Sequence, residues 1–285
     1  MASLKVIRRR IRSIESTQRI FKAMETVAAA KLRRAQQRSQ AATPYARKIT
    51  EMLKNLAGAA SDLEHPLFKS RETRRTALVL VTADRGLCGA YNASLIRAAE
   101  ERLRQAPTGS LALVTVGKKG SNYFRRRKWP VLAAYADLPA EASIDFARRL
   151  TQDLIERFVS GQLDRVEIMH MHFVNALVRR ISEEVFLPVG GDEAGGAGPD
   201  RGTIFEPDAE RIFAELLPRY ATAKLFAVLA DALTAEQSAR MAAMGAARKN
   251  AGELLDVLVL QRNRVRQAMI TKELLEIVAG AEALR

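Results

Sequence analysis

The stretch SLKVIRRRIRSIESTQRIFKAMETVAAAKLRRA, residues 3–35, decides the fold. Ser3 is placed to cap a helix, because its hydroxyl can accept a bond from a first-turn amide that has no helical partner. Leu4, Ile7, Ile11, Ile14, Gln18 and Phe21 then recur at alternating steps of three and four. This is the seam of a coiled coil with one polar member, Gln18. Met24, Val27, Ala28, Leu32 and Ala35 carry the stripe onward after a change of phase. The small side chains of Ala28-Ala29-Ala30 let another backbone come close. Pro44 is a point where the helix can end or kink. Tyr45, Ile49, Leu53 and Leu56 extend helical spacing to about residue 60.

A seam needs a partner, and the other end of the chain supplies one. After Pro218, Leu225, Leu229, Leu233, Met241, Met244, Ala251, Leu255, Leu258, Val265, Met269, Leu275 and Val278 keep three-to-four spacing. At the α-helical rise, residues 219–285 span on the order of 100 Å and the first helix roughly 60 Å. An antiparallel pair of such lengths leaves the C-terminal end of the longer helix projecting. The sustained heptad period predicts a left-handed supercoil.

Between the two helices the period changes. Ala77 to Val81 is a continuous apolar run followed by Asp84-Arg85-Gly86-Leu87-Cys88-Gly89, a strand ending in a glycine turn. Asn92–Leu103 reads as a helix, Leu111–Val116 as a second strand ending at Gly117, and Lys118–Lys128 as a basic helix. A weaker strand at 131–135, a helix at 144–159 and a strand at 166–174 follow. Strands alternating with helices predict βαβ units and a parallel sheet. Residues 190–203, rich in Gly, read as a flexible surface loop. The expected fold class is therefore α/β. A long antiparallel coiled coil of N- and C-terminal helices (residues 1–60 and 208–285) accompanies a central Rossmann-like α/β domain (75–205).

Composition narrows the function. No apolar run approaches the length of a membrane span. An Arg-rich, acid-poor start resembles a transit peptide in composition, but its apolar pattern runs unbroken into the helix. No apolar core of a secretory signal follows the charges. Cys88 is the only cysteine, so an intrachain disulfide is excluded. The net charge is +14, and residues 1–40 hold eleven basic against two acidic side chains. Such a helix suits nucleic acid, an anionic lipid surface or an acidic protein surface.

Catalytic patterns are weak throughout. The 84–89 turn lies where α/β folds bind phosphates, yet it matches neither the dinucleotide fingerprint nor the P-loop, and it reads as a structural turn. Cys88 beside Arg85 invites a thiolate reading, but it reads as a small buried turn residue. Gly117-Lys118-Lys119-Gly120 resembles an anion-binding turn and reads as a solvated loop. Arg125-Arg126-Arg127-Lys128-Trp129 reads as a charged helix end. Glu183-Glu184 reads as solvent-exposed beside a strand. His65, His170, His172 and Cys88 lack the spacing of a closed zinc site. His170 and His172 read as one face of a strand. No catalytic residue and no metal ligand is assigned.

Taken together the segments resemble a known family. Ser3 to Ile11, Thr17 to Met24 and Val27 to Ala35 resemble the N-terminal helix of the γ subunit of F-type ATP synthases. Asp84 to Asn92 is similar to that family's central turn. Glu236 to Met244 and Arg266 to Val278 are similar to its C-terminal signature. The resemblance implies the central shaft of a rotary motor, with no chemistry and no cofactor of its own. Its partners are then the ring of α and β subunits, the ε subunit and the membrane c ring, not nucleic acid. It also implies a peripheral position on the cytoplasmic face of a bacterial inner membrane, or on the matrix or stroma side in an organelle. Family contacts with an acidic β-subunit loop carry over to Arg266, Gln267 and Thr271, and Met24 stands near the same level of the shaft. Lys22, Arg8 and Arg9 are further shaft–β candidates. Phe205-Glu206-Pro207-Asp208 resembles the family's foot near the c ring, which makes Phe205 and Glu206 foot candidates. The apolar tail Leu274–Leu284 is implied to turn in an apolar bearing. Gly245 stands where Lys is common, Lys272 where Gln is common, Val265 where Ala is common, and Glu25-Thr26 departs from the usual pair. The alternatives are a basic coiled-coil nucleic-acid-binding protein and an α/β enzyme with helical appendages.

Overall fold

The computed structural model describes residues 4–59, 65–68, 71–189 and 209–282. In chain order its elements are α1 (Leu4–Ala59), β1 (Thr76–Val81), α2 (Tyr91–Gln105), β2 (Leu111–Val116), α3 (Lys118–Arg126), β3 (Val131–Tyr135), α4 (Ile144–Val159), β4 (Arg165–Phe173), β5 (Arg179–Leu187) and α5 (Ala209–Glu282). The chain divides into two compact units. A coil unit comprises Met1–Ala28 with Met241–Arg285, and a sheet unit comprises Ala29–Arg240. Ser3 and the segment 190–203 lie outside the described residues.

In the coil unit the seam read from the sequence is buried where expected. Ile7 and Ile11 pack on Leu258, with Ile14, Leu255, Val259 and Val265 around them. Gln18 sends its amide to the carbonyl oxygen of Arg248, and Glu25 pairs with the Arg248 guanidinium at 2.8 Å. Partners on α5 therefore rise from Arg248 to Leu258 as residues on α1 fall from Glu25 to Ile7, so the helices run antiparallel. Val27 departs from the predicted stripe. It is exposed, whereas Ala28 and Leu32 are buried, which follows from the change of phase after Phe21.

In the sheet unit β1 has every residue buried, and its side chains alternate between two cores. Ala77, Val79 and Val81 face Phe146, Leu150, Leu154 and Phe158 of α4, together with Ile49 and Leu53 of α1 and Leu217 and Leu225 of α5. Leu78 and Leu80 face Leu95, Ala99 and Leu103 of α2, with Phe124 of α3 and Ala235 and Ala239 of α5. The strand order is β3-β2-β1-β4-β5. β1 to β4 are parallel, as the βαβ pattern predicts. β5 is antiparallel to β4, pairing His170 with Ser182 and Ile168 with Glu184. The sheet is therefore mixed, because β4 and β5 are joined by a hairpin that needs no crossover helix.

Neither proline breaks its helix. α1 runs through Pro44 and α5 begins before Pro218. An interior proline costs about 3 kcal/mol. Burial of Ile49 and Leu53 beyond Pro44, and of Phe213, Leu216, Leu217 and Tyr220 around Pro218, offsets it.

Candidate functional site

Two places carry the candidate functional side chains, one in each unit. In the coil unit, Val265 is the last α5 residue, among those described, that packs on the Ile7–Ile11–Leu258 cluster. Residues 266–281 continue as helix with every residue exposed. Arg266, Gln267 and Thr271 fall within the first turns of this stretch. Its apolar side chains are open to solvent as well, with Leu274 58%, Leu275 64% and Ile277 68% exposed. A helix in water does not keep so many large apolar groups uncovered without a partner surface. Lys272 pairs with Glu276 at 3.4 Å along the same helix.

The remaining predicted contacts are spread along α1. Arg8 and Arg9 are exposed and flank the buried Ile7 and Ile11. Lys22 is exposed and Met24 half-buried, next to the Glu25–Arg248 pair. Phe205, Glu206 and Leu284 lie outside the described residues.

Two departures noted in the sequence meet here. A side-chain carbon added at Gly245 would come within 3.1 Å of the Glu25 carboxylate. Glu25 thus occupies the space above Gly245 and from there holds Arg248.

In the sheet unit, the turn after β1 meets α5. Arg240 donates to the carbonyl oxygen of Gly86 at 3.3 Å and pairs with Glu236 one helical turn earlier at 2.5 Å. Both side chains are nearly buried. Burial raises the Glu236 carboxyl above the ordinary glutamate value, and Arg240 pulls it back. Tyr91 donates its hydroxyl to the carbonyl oxygen of Ala232, Ser238 donates to that of Ala176, and Arg179 donates to the Ser238 hydroxyl. The Phe173 amide donates to Asp231. Directional bonds at four positions on α5, Asp231, Ala232, Ser238 and Arg240, therefore tie it to the strands, turns and helix α2 of the sheet unit. Such a joint resists sliding of helix against sheet in a way that apolar packing alone does not, because each bond fails if its geometry shears.

The readings of the turns sharpen accordingly. Asn92 accepts from the Ala83 amide at 2.9 Å and donates to Cys88 Sγ at 3.1 Å. Cys88 is buried, and burial raises its thiol pKa, against the thiolate reading. Gly117 and Gly120 are buried against Thr82, so this turn is packed and not solvated. The α3 amides that resembled an anion site already have protein partners. Lys118 N binds Asp84, Lys119 N binds the Ala83 carbonyl oxygen, and Gly120 N binds the Thr82 hydroxyl. Glu183 and Glu184 lie inside β5, not beside a strand; Glu183 pairs with Arg102 and Glu184 is partly covered. Asn92→Ala leaves the buried Ala83 amide unpaired and is expected to cost about 1–3 kcal/mol, read as a lower urea midpoint with unchanged slope.

Sequence reasoning missed the Arg240–Gly86 bond and the role of Asp231. The Glu236–Arg240 spacing of four on one helix signalled a pair, but nothing in the sequence showed that it is buried.

Comparison with known proteins follows the same lines. A family model described as ATP synthase matches residues 3–284. The ATP synthase gamma chain of Desulforamulus reducens is 45% identical over 284 residues, covering 100% of both chains. That of Moorella thermoacetica is 43% identical over 285 residues with the same coverage. Among solved structures, a chain in the OSCP/F1/c-ring of the Euglena gracilis mitochondrial ATP synthase superposes with a TM-score of 0.71 at 19% identity, covering 99% of this chain and 94% of that one. A chain of the Tetrahymena thermophila central stalk and c ring gives 0.62 at 22% identity, covering 80% and 99%. At these identities the structures speak for the fold alone.

Proposed function

This chain belongs to the ATP synthase gamma-chain family, and on that premise we infer how it works as the central rotor shaft of the motor. Its role is to couple rotation to ATP synthesis or hydrolysis at β subunits, and it is a non-catalytic subunit. The observation that carries the reading is the exposed end of α5. Residues 266–281 present Arg266, Gln267 and Thr271 and then a run of uncovered apolar side chains. A sleeve formed by α and β subunits covers this run in the assembled motor. Its apolar part turns in an apolar bearing, where few hydrogen bonds break at each step. Arg266, Gln267 and Thr271 hold an acidic β-subunit loop, with Met24, Lys22, Arg8 and Arg9 as further contacts along the coil. Exposed ion pairs are individually weak, so such grips release and re-form as the shaft turns. An asymmetric shaft favours a different conformation in each β subunit it faces, and so acts as a ligand with unequal affinity for the states of β.

The sheet unit receives the torque. We place it against the ε subunit and the c ring, with Phe205 and Glu206 at the foot. The joint of Tyr91, Asp231, Ser238 and Arg240 passes the load from sheet to α5. Among the described residues no helix is long and apolar enough to cross a membrane, which accords with a peripheral subunit, here assigned to the cytoplasmic face. Relatives of this family give no support to the nucleic-acid alternative.

Reconstitution tests the reading. Adding this chain to α and β subunits is expected to raise ATP hydrolysis severalfold and to co-purify with them; unchanged hydrolysis sinks the assignment. Arg266→Ala and Gln267→Ala are each expected to lower coupled ATP synthesis severalfold while assembly stays intact. Wild-type torque and synthesis in both variants refutes the grip.

A further inference from the structure

In the sheet unit a cavity of about 570 Å³ is lined by His170, His172, Glu184, Lys224 and Asp231, with Arg180 beside them. One ring nitrogen of each histidine and one carboxylate oxygen of Asp231 all lie within 4.8 Å of one another. Asp231 Oδ2 stands 3.2 Å from His170 Nε2 and 2.8 Å from His172 Nδ1. A tetrahedral ion with bonds of about 2.0–2.1 Å holds neighbouring ligand atoms about 3.3 Å apart. Both nitrogen–oxygen pairs thus already stand near the spacing that a single small ion imposes.

The hydrogen bonding of His170 points the same way. With Nε2 donating its proton to Asp231, Nδ1 is a buried acceptor, and it has no hydrogen-bond partner. What faces it is Glu184 Oε1 at 3.9 Å, a carboxylate opposite an acceptor. The mismatch disappears if a cation takes Nε2. The proton then resides on Nδ1, which is aimed towards Glu184. A metal-bound histidine that gives its other ring N–H to a carboxylate is the recurrent outer arrangement of histidine metal sites.

We propose that His170, His172 and Asp231 form a binding site for a divalent transition cation of the zinc type, with Glu184 orienting the His170 ring. Two imidazoles and one carboxylate suit zinc or its neighbours better than the oxygen-seeking magnesium and calcium. The fourth position opens on the cavity, where Arg180 and Lys224 favour water, hydroxide or a small anion. Bound there, the ion ties β4 to α5 and reinforces the joint. This site stands independently of the shaft reading, since it rests only on side chains within the sheet unit.

The test uses the tag-free full-length chain. After incubation with Zn²⁺ and desalting, one zinc per chain is expected. Co²⁺ in its place is expected to give the intense visible absorption of a tetrahedral ion. Thermal unfolding is expected to shift upward with Zn²⁺ and return with a chelator. His172→Ala, at a half-exposed position, is expected to abolish retention of zinc while leaving the metal-free unfolding temperature nearly unchanged. Glu184→Gln is expected to weaken binding about 10–100-fold, and His65→Ala to leave it unchanged. Failure of the wild-type chain to retain zinc, or equal retention by the His170→Ala/His172→Ala double variant, overturns the proposal.

Discussion

Arg240→Ala is expected to destabilise the sheet unit by about 3–5 kcal/mol, the cost of leaving a buried charge without its partner. The Arg240 and Glu236 side chains are only 12% and 10% exposed. Removal of the guanidinium strands the Glu236 carboxylate and also frees the carbonyl oxygen of Gly86. The loss depends on pH, with a sign fixed by the direction of the Glu236 shift. Burial raises this carboxyl in the folded chain above its ordinary value of 4.5, so the stability it contributes is complete below that value and declines as pH rises. Arg240 limits the rise, and without it the folded pKa climbs further. The deficit of Arg240→Ala is therefore expected to be larger near about pH 8 than near about pH 5. Adding Glu236→Gln removes the charge and is expected to restore part of the loss at the higher pH. Calorimetric melting of the four proteins of this cycle measures it. A deficit independent of pH would mean that lost packing, not a stranded charge, dominates.

Gly117→Ala is expected to do comparable damage by another route. Gly117 has φ of +96° and ψ of 144°, a region that is essentially glycine-only and costs about 1–3 kcal/mol for other residues. Space is lacking as well, because an added side-chain carbon would meet the Thr82 carbonyl oxygen at 2.1 Å. Relief requires the ends of β1 and β2 to separate, although the Thr82 amide bonds the Val116 carbonyl oxygen at 2.8 Å and the Gly117 amide that of Tyr135 at 2.7 Å. A total of at least ~3 kcal/mol follows, or roughly 6 °C or more in melting temperature. Gly86→Ala is the control. Its added carbon meets only the end of the Lys119 side chain, at 3.7 Å, and near-wild-type melting is expected. Equal melting of the two variants contradicts the argument.

Much of this architecture was legible because it repeats one period over a long distance. The seam from Leu4 to Phe21 needed no tertiary information, nor did the apolar runs that became β1 and β2. The missed strand, β5, reads Arg-Arg-Ile-Ser-Glu-Glu-Val-Phe-Leu, and its first half is largely exposed at the sheet edge. An edge strand lacks the continuous apolar run that marks a buried one, so its sequence resembles a loop. Pro218 misled in the opposite sense, while helical spacing carried the reading past Pro44 to about residue 60. Proline is a local signal, and distant packing around Leu53 and Leu217 overrode it. His170 and His172 were correctly placed on one strand face. Asp231 lies about sixty residues away on a helix, and no spacing rule joins a helix position to a strand face. The exposed tail was foreseeable from the unequal lengths of the two helices, whereas the contacts proposed for Arg266, Gln267 and Thr271 depend on surfaces outside this chain.

The packing of Glu25 over Gly245 has a consequence for how this lineage can change. A larger residue at 245 shifts the carboxylate that holds Arg248, and loss of Glu25 leaves a gap above a residue with no side chain to fill it. The effect of either replacement therefore depends on the residue at the other position. The two positions are coupled through the carboxylate that they share. A double-mutant cycle of Glu25→Ala and Gly245→Lys is expected to show a coupling energy between the two positions, and strictly additive losses in melting temperature would contradict it.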